Sequence, residues 1–397
     1  MTTRFTHMLE VVVALALFSF LPSQGVEAGP VSGIFTPKLQ HFVDEHIMAG
    51  AVVLVADKEK VLDVEAVGYS DLAAKSLMQA DNLFWIASMS KPITATAFMM
   101  LVDEGRVRLD DPVEKYIPEF KNVRVAQTNG NLVAPSHPIK IREILSHTSG
   151  MGFLNAKDQQ LIDSVPLAES IHHDLMEPLL FDPGTSYKYS NQGIDTAGRI
   201  IEIVSGMPYE KFMQERLFIP LGMTNTTFTL STGQLQRLAK SYKTNNDKTG
   251  LEEVPIHYLK SPLDGLGHYP APGGGLFSTA HDVARFCQML ANGGTFEEKT
   301  YLSKESVHQM TIKQTGTAVK NNYGFGFSLQ EENSFGHGGA YKTSMKVDHG
   351  QVRVFLVQQA SEWSRGNPED EFIAEAVKIY PPGEPASDKL NQAVHLP

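Results

Sequence analysis

Ser88 and Lys91 stand three residues apart in Phe84-Trp85-Ile86-Ala87-Ser88-Met89-Ser90-Lys91-Pro92-Ile93-Thr94-Ala95. On a helix this spacing puts both side chains on one face, about 5–6 Å apart at Cβ. A hydroxyl attacks a carbonyl only when something removes its proton. A desolvated amine one turn away can do so, because burial makes an ammonium easier to deprotonate. The apolar residues before Ala87 read as a strand end, and good helix formers follow Ser88 as far as a glycine cap near Gly105. Backbone N–H groups at such a helix start favour an oxyanion beside Ser88. The pair alone fits a plain helix start with a solvated lysine equally well, so its meaning depends on what accompanies it.

Two further segments carry suitable groups. Tyr189-Ser190-Asn191 follows the turn signal Asp182-Pro183-Gly184 and precedes a helix. A phenol near a cation releases its proton more easily, so Tyr189 can exchange a proton with Ser88. The Asn191 amide can orient both Lys91 and a substrate carbonyl. The plainer alternative is a helix cap by Ser190 or Asn191 with Tyr189 packed beside it. Near the C-terminus, Phe335-Gly336-His337-Gly338-Gly339-Ala340-Tyr341 opens a strand. Its glycines let a substrate approach the backbone, a strand-edge N–H can complete an oxyanion hole, and His337 would face the cavity as a polar or weakly cationic group. Taken alone, it reads as a glycine-rich hairpin with a surface histidine.

At 397 residues and 42% hydrophobic, the chain can bury a large core in one or two domains. A net charge of −11 leaves no electrostatic footprint for nucleic acid. Cys287 is the only cysteine, which excludes an intrachain disulfide and a thiol metal cluster, and no His-Glu-x-x-His spacing marks a zinc site. No metal or organic cofactor is expected. Arg4, the apolar run Val11 to Leu21 and Val26-Glu27-Ala28 read as a signal peptide over residues 1–28, cleaved near Gly29. That run is shorter than the ~20 residues of a membrane span. The expectation is export to the periplasm or medium, with no stable membrane anchor.

The elements that must hold these groups follow the same patterns. Ile34 to Met48 reads as a helix, and Ala51–Ala56 with Val61–Tyr69 as a hairpin. Residues 121–137 look loop-like, and helices are expected near 158–178, 191–205 and 208–217. Strand signals vanish between about 110 and 230, then return over Tyr323–Gln330, Lys342–Asp348 and Val352–Gln359, before a helix near Glu369–Tyr380. The reading is an α/β domain of residues 29–109 and 231–397 with an inserted helical domain of residues 110–230.

The three segments, in this order, resemble the class C β-lactamase-like serine hydrolases. That family includes class C β-lactamases, D-alanyl-D-alanine carboxypeptidases, D-aminopeptidases and family VIII carboxylesterases. The similarity spans about residues 34 to 380 and includes Leu145-Ser146-His147-Thr148-Ser149-Gly150, Pro220-Leu221-Gly222-Met223-Thr224-Asn225-Thr226 and Pro272-Gly273-Gly274-Gly275. The resemblance implies an α+β fold of the β-lactamase/penicillin-binding-protein type, an antiparallel sheet flanked by helices plus an all-helical insertion. It implies Ser88 as nucleophile and Lys91 with Tyr189 as the proton-handling pair. Asn191, His337, Gly338, Gly339 and Ala340 would bind or support substrate, with the Ser88 and Ala340 N–H groups forming the oxyanion hole.

Lys248-Thr249-Gly250 spells the β-lactamase third motif, yet Asn245-Asn246-Asp247 before it marks a solvent-facing turn, and His337-Gly338-Gly339 stands where the family has that motif. Histidine is a weaker anchor than lysine for a substrate carboxylate, and Lys342 follows Tyr341 where a glycine is frequent. The resemblance therefore favours an esterase or D-amino-acid peptidase acting through an acyl-enzyme on a small ester or short peptide. A β-lactamase or D-Ala-D-Ala carboxypeptidase acting on a β-lactam or peptide is the alternative, and a catalytically silent binding module the alternative of another class. No Gly-x-Ser-x-Gly elbow is present for an α/β-hydrolase.

Overall fold

The computed structural model describes residues 33–158, 161–263 and 267–383, so the signal segment expected over residues 1–28 lies outside the described residues. The chain's two ends build one sheet. Strands β1 (Gly50–Ala56), β2 (Val61–Asp71) and β3 (Ser76–Leu77) come from the N-terminal part. Late in the chain come β6 (Ser328–Glu331), β7 (Ser334–Gly338), β8 (Ser344–Asp348) and β9 (Gln351–Leu356). The strand order is β6-β7-β8-β9-β1-β2-β3, and every pair is antiparallel. Pairing of β1 with β9, Val52 opposite Leu356, closes the long excursion between them.

Helices cover both faces, which is why β1 is apolar throughout rather than alternating. Ala51, Val53 and Val55 pack with Leu39 and Phe42 of α1 (Thr36–Asp44) and with Phe372 of α7 (Pro368–Ile379). Val52, Leu54 and Ala56 face the main core with Val283 and Phe286 of α6 (Ala280–Ala291) and Phe98 of α2 (Ser90–Asp103). Residues 110–230 hold α3 (Ile141–Leu145), α4 (Leu167–Asp174), α5 (Asn191–Ser205), shorter helical turns, and a small hairpin of Val125–Ala126 with Leu132–Val133. Among the described residues no helix is long and apolar enough to cross a membrane.

Several elements are shorter than their patterns imply. The helix expected near 158–178 is confined to α4, because Pro166 stands at its N-cap and Asp163 is drawn into a loop network with the Lys260 N–H and the His268 ring. Tyr323 to Phe327 are not strand. Their backbone turns on itself through Gly324 N–H to Phe327 O and docks onto neighbours through Phe325 N–H to Met310 O and Gly326 N–H to Leu145 O.

The approach to Ser88 is a tight corner. Strand β4 (Phe84–Trp85) pairs with β5 (Phe277–Ser278), and Ala87 then takes a left-handed conformation at φ 47°. Ser88 lies in a single 3₁₀ turn, and α2 begins at Ser90. The Ser90 hydroxyl holds this corner, donating to Ala87 O at 2.7 Å and accepting from the Leu276 N–H at 3.1 Å. A non-glycine residue at positive φ persists only where its surroundings enforce it. Ser90→Ala leaves the buried Leu276 N–H without its acceptor, while Ala87 O keeps the N–H of residue 90, an expected loss of about 1–3 kcal/mol. A urea midpoint unchanged from the parent would refute that role.

Candidate active site

Helix α2 is buried over most of its circumference, so Lys91 points into protein rather than solvent. Its Nζ lies 3.1 Å from Ser88 Oγ, 2.6 Å from Asn191 Oδ1 and 2.6 Å from Gly273 O. The last two groups can only accept. Burial, opposed by the charge of Asp195, lowers the Lys91 pKa from 10.5 to about 7. Lys91 Nζ also lies 4.6 Å from the centroid of the Tyr189 ring. Such a contact favours the ammonium by ~0.5–2 kcal/mol. Stripping an ammonium of water costs several kcal/mol, so desolvation prevails. A neutral amine spends its two N–H bonds on Asn191 and Gly273, and its lone pair then faces the Ser88 hydroxyl.

The loop after Ala271 makes this clamp. The Trp85 indole donates to Gly274 O at 2.8 Å, and the Thr94 hydroxyl donates to Pro272 O at 2.8 Å. A Cβ at 273 would stand 3.0 Å from Asn191 Oδ1, so a larger residue there would press on the lysine's own acceptor. Asn191 is the first residue of α5, and the Ser190 hydroxyl caps that helix by accepting from the Gly193 N–H at 2.9 Å. The cap and the clamp are therefore adjacent residues.

The Tyr189 phenol lies beside Ser88, which pulls its pKa down, yet burial outweighs that and drives it above the ordinary value. It is a phenol, not a phenolate, near neutral pH. His337, on β7, is buried, and its Nδ1 lies 2.7 Å from Gly338 O. A carbonyl can only accept, so Nδ1 carries the proton and Nε2 accepts from Tyr323 OH at 3.0 Å, with Tyr189 OH 3.4 Å away. Burial, with Lys91 nearby, lowers the His337 pKa to about 3. Of the polar or weakly cationic group expected from sequence, the structure gives the uncharged polar form, because burial strips the ring of water.

Gly338 pairs with Ser344 at the end of β7, and the chain then turns through Gly339 and Ala340. A Cβ on Gly339 would stand 2.6 Å from Ile86 O, so this strand end runs against the residues just before Ser88. Among the described residues neither the Ser88 nor the Ala340 N–H meets a backbone acceptor. Lys342 is engaged by Glu362 at 2.7 Å. Lys248-Thr249-Gly250 is an exposed turn between Tyr242–Thr244 and Leu251–Glu253, closed by Thr249 Oγ1 to Asp247 Oδ1 at 2.6 Å.

A family model described as Beta-lactamase matches residues 35–378. The chain belongs to the beta-lactamase family. Among its relatives is Protein Rv1367c of Mycobacterium tuberculosis, 31% identical over 369 residues, covering 82% of this chain and 90% of that protein. Esterase EstB of Burkholderia gladioli is 30% identical over 280 residues, covering 64% of this chain and 69% of the esterase. Of solved structures, EstCE1, described as a hydrolase with promiscuous acyltransferase activity, superposes with a TM-score of 0.73. It is 25% identical and covers 86% of this chain and 97% of that one. The fold is of the β-lactamase/penicillin-binding-protein type.

Several residues of this beta-lactamase-family site escape a reading by motif. Tyr323 reaches His337 from a segment that looks like a strand. His147, within Leu145-Ser146-His147-Thr148-Ser149-Gly150, accepts from the Ser190 N–H at 3.2 Å, and its ring centre lies 4.6 Å from those of Tyr189 and Tyr323. Burial, with Lys91 and His337 nearby, holds it neutral. Asp195 appears in no sequence pattern, although its spacing of four from Asn191 puts it on the same helical face.

Proposed function

We propose that the protein is a serine hydrolase that cleaves an ester or amide through a covalent acyl-enzyme, of the esterase or D-amino-acid peptidase type. One observation carries this reading: the Lys91 amine is held by two pure acceptors while its third direction meets Ser88 Oγ. Ser88 Oγ attacks the carbonyl carbon as its proton passes to neutral Lys91. The carbonyl oxygen becomes an oxyanion, stabilised by the Ser88 and Ala340 N–H groups. Collapse expels the leaving group, which takes a proton from the Tyr189 phenol, and Lys91 returns one to Tyr189. Water then attacks the acyl carbon with the same groups reversed, releasing the acid and free Ser88.

The neutral His337 argues against a site tuned to a substrate carboxylate, and so against efficient β-lactam or D-Ala-D-Ala cleavage. A silent binding module gains nothing from a desolvated lysine, which destabilises the fold. The test is a fluorophosphonate label with peptide mapping, beside turnover of a short-chain p-nitrophenyl ester and a chromogenic cephalosporin. A single adduct on Ser88 with ester turnover supports the hydrolase. Efficient cephalosporin opening makes it a β-lactamase. A chain that takes no label and turns over neither substrate is the binding module.

A further inference from the structure

Asp195 lies one turn beyond Asn191 on α5, with 8% of its surface exposed. Its Oδ1 accepts from the Gly273 N–H at 2.8 Å, and the carbonyl of the same glycine accepts from Lys91 Nζ at 2.6 Å. Helix α5 thus grips the lysine twice, directly through Asn191 Oδ1 and indirectly through Asp195 and Gly273. A buried carboxyl destabilises a fold unless it is bonded, and one held beside a buried amine in a cleft is a candidate functional group.

We propose that Asp195 is a positioning residue for Lys91, fixing the Gly273 backbone so that its carbonyl aims the lysine amine at Ser88. Its charge has a second effect. A carboxylate beside Lys91 favours the ammonium and opposes the downward push of burial. Burial lifts the pKa of Asp195 itself to about 7 against the pull of Lys91, so the two groups titrate as a pair. The other groups facing the pair are uncharged near neutral pH. His147 and His337 are neutral, Tyr189 and Tyr209 are phenols, and burial pushes Asp174 up to about 8. Asp195 is therefore the group that sets how far the lysine's deprotonation is delayed. This role rests on the hydrolase reading above.

Two substitutions separate geometry from charge. Asp195→Asn keeps an acceptor for the Gly273 N–H and removes the charge, whereas Asp195→Ala removes both. Rates on the short-chain ester are measured against pH and normalised to sites titrated by fluorophosphonate, so that misfolded protein is not counted. In Asp195→Asn the acid limb of kcat/KM moves down by about 0.5–1 pH unit, and the plateau falls far less than in Asp195→Ala. In Asp195→Ala kcat falls by about 10- to 100-fold at every pH, with KM within about threefold, as for a misaimed base. A limb that stays or moves up in Asp195→Asn overturns the proposal, as does a parental kcat in Asp195→Ala. A second readout needs no turnover: ¹³Cε-lysine NMR of Lys91 in Ser88→Ala protein. Its midpoint must fall when Asp195→Asn is added, and an unchanged midpoint overturns the charge effect. Failure of the hydrolase reading is seen separately, as a parent chain that neither labels nor turns over ester.

Discussion

Ser88→Ala is expected to lower ester turnover by about four to six orders of magnitude while leaving the fold intact. The hydroxyl is half-buried at the cleft, and its contacts are with Lys91 and Tyr189 rather than with the core. Its removal leaves those two groups able to bond with water, so the urea midpoint moves little. The loss falls on kcat because no covalent intermediate can form, and what remains over the uncatalysed rate comes from the Ser88 and Ala340 N–H groups and from binding. Steady-state rates on a short-chain p-nitrophenyl ester read this directly. A variant within tenfold of the parent would remove Ser88 from the chemistry and send the search for a nucleophile elsewhere.

Lys91→Met is expected to lower kcat by about 10³-fold, within the usual range for losing a general base. Methionine has nearly the length of lysine and fills the same space, but it leaves Ser88 without an acceptor for its proton. Lys91→Arg should not restore the rate, because a guanidinium keeps its proton throughout the accessible range. The pH dependence of the parent carries the sign. With its pKa lowered to about 7, Lys91 is protonated and inactive below neutrality and becomes a free amine above it. The parent's kcat/KM therefore climbs about tenfold per pH unit below that point and levels off above it, and the variants lose this limb. His337 adds no limb between pH 5 and 8, since it is neutral down to about 3. A rate that falls as pH rises through 7 would assign the base to another group.

The site's legibility follows from how its parts are built. Ser88 and Lys91 are readable because one helical turn joins them, and Tyr189 and Asn191 because a turn signal and a helix start bracket them. The Ser190 cap is readable for the same reason. The clamp is not. Gly273 O meets Lys91 across 182 residues, and Tyr323 meets His337 only because the backbone after residue 323 folds back instead of extending. Helices fall short of their patterns where loops supply the competing bonds, as Asp163 does before α4.

The amino-acid order by itself determined which groups are suited to the proposed chemistry, the family they belong to, and the apolar runs that become a sheet covered on both faces. These are properties of local spacing and composition, which act within a turn or a strand. The state of those groups was decided only in three dimensions. Lys91 becomes easy to deprotonate because α2 is enclosed and α5 and the 272–275 loop supply acceptors without a tight ion pair. His337 becomes neutral because Tyr189, Tyr323 and His147 close around it. Protonation depends on how much water each group loses and which partners replace it, and neither is written in the neighbours along the chain.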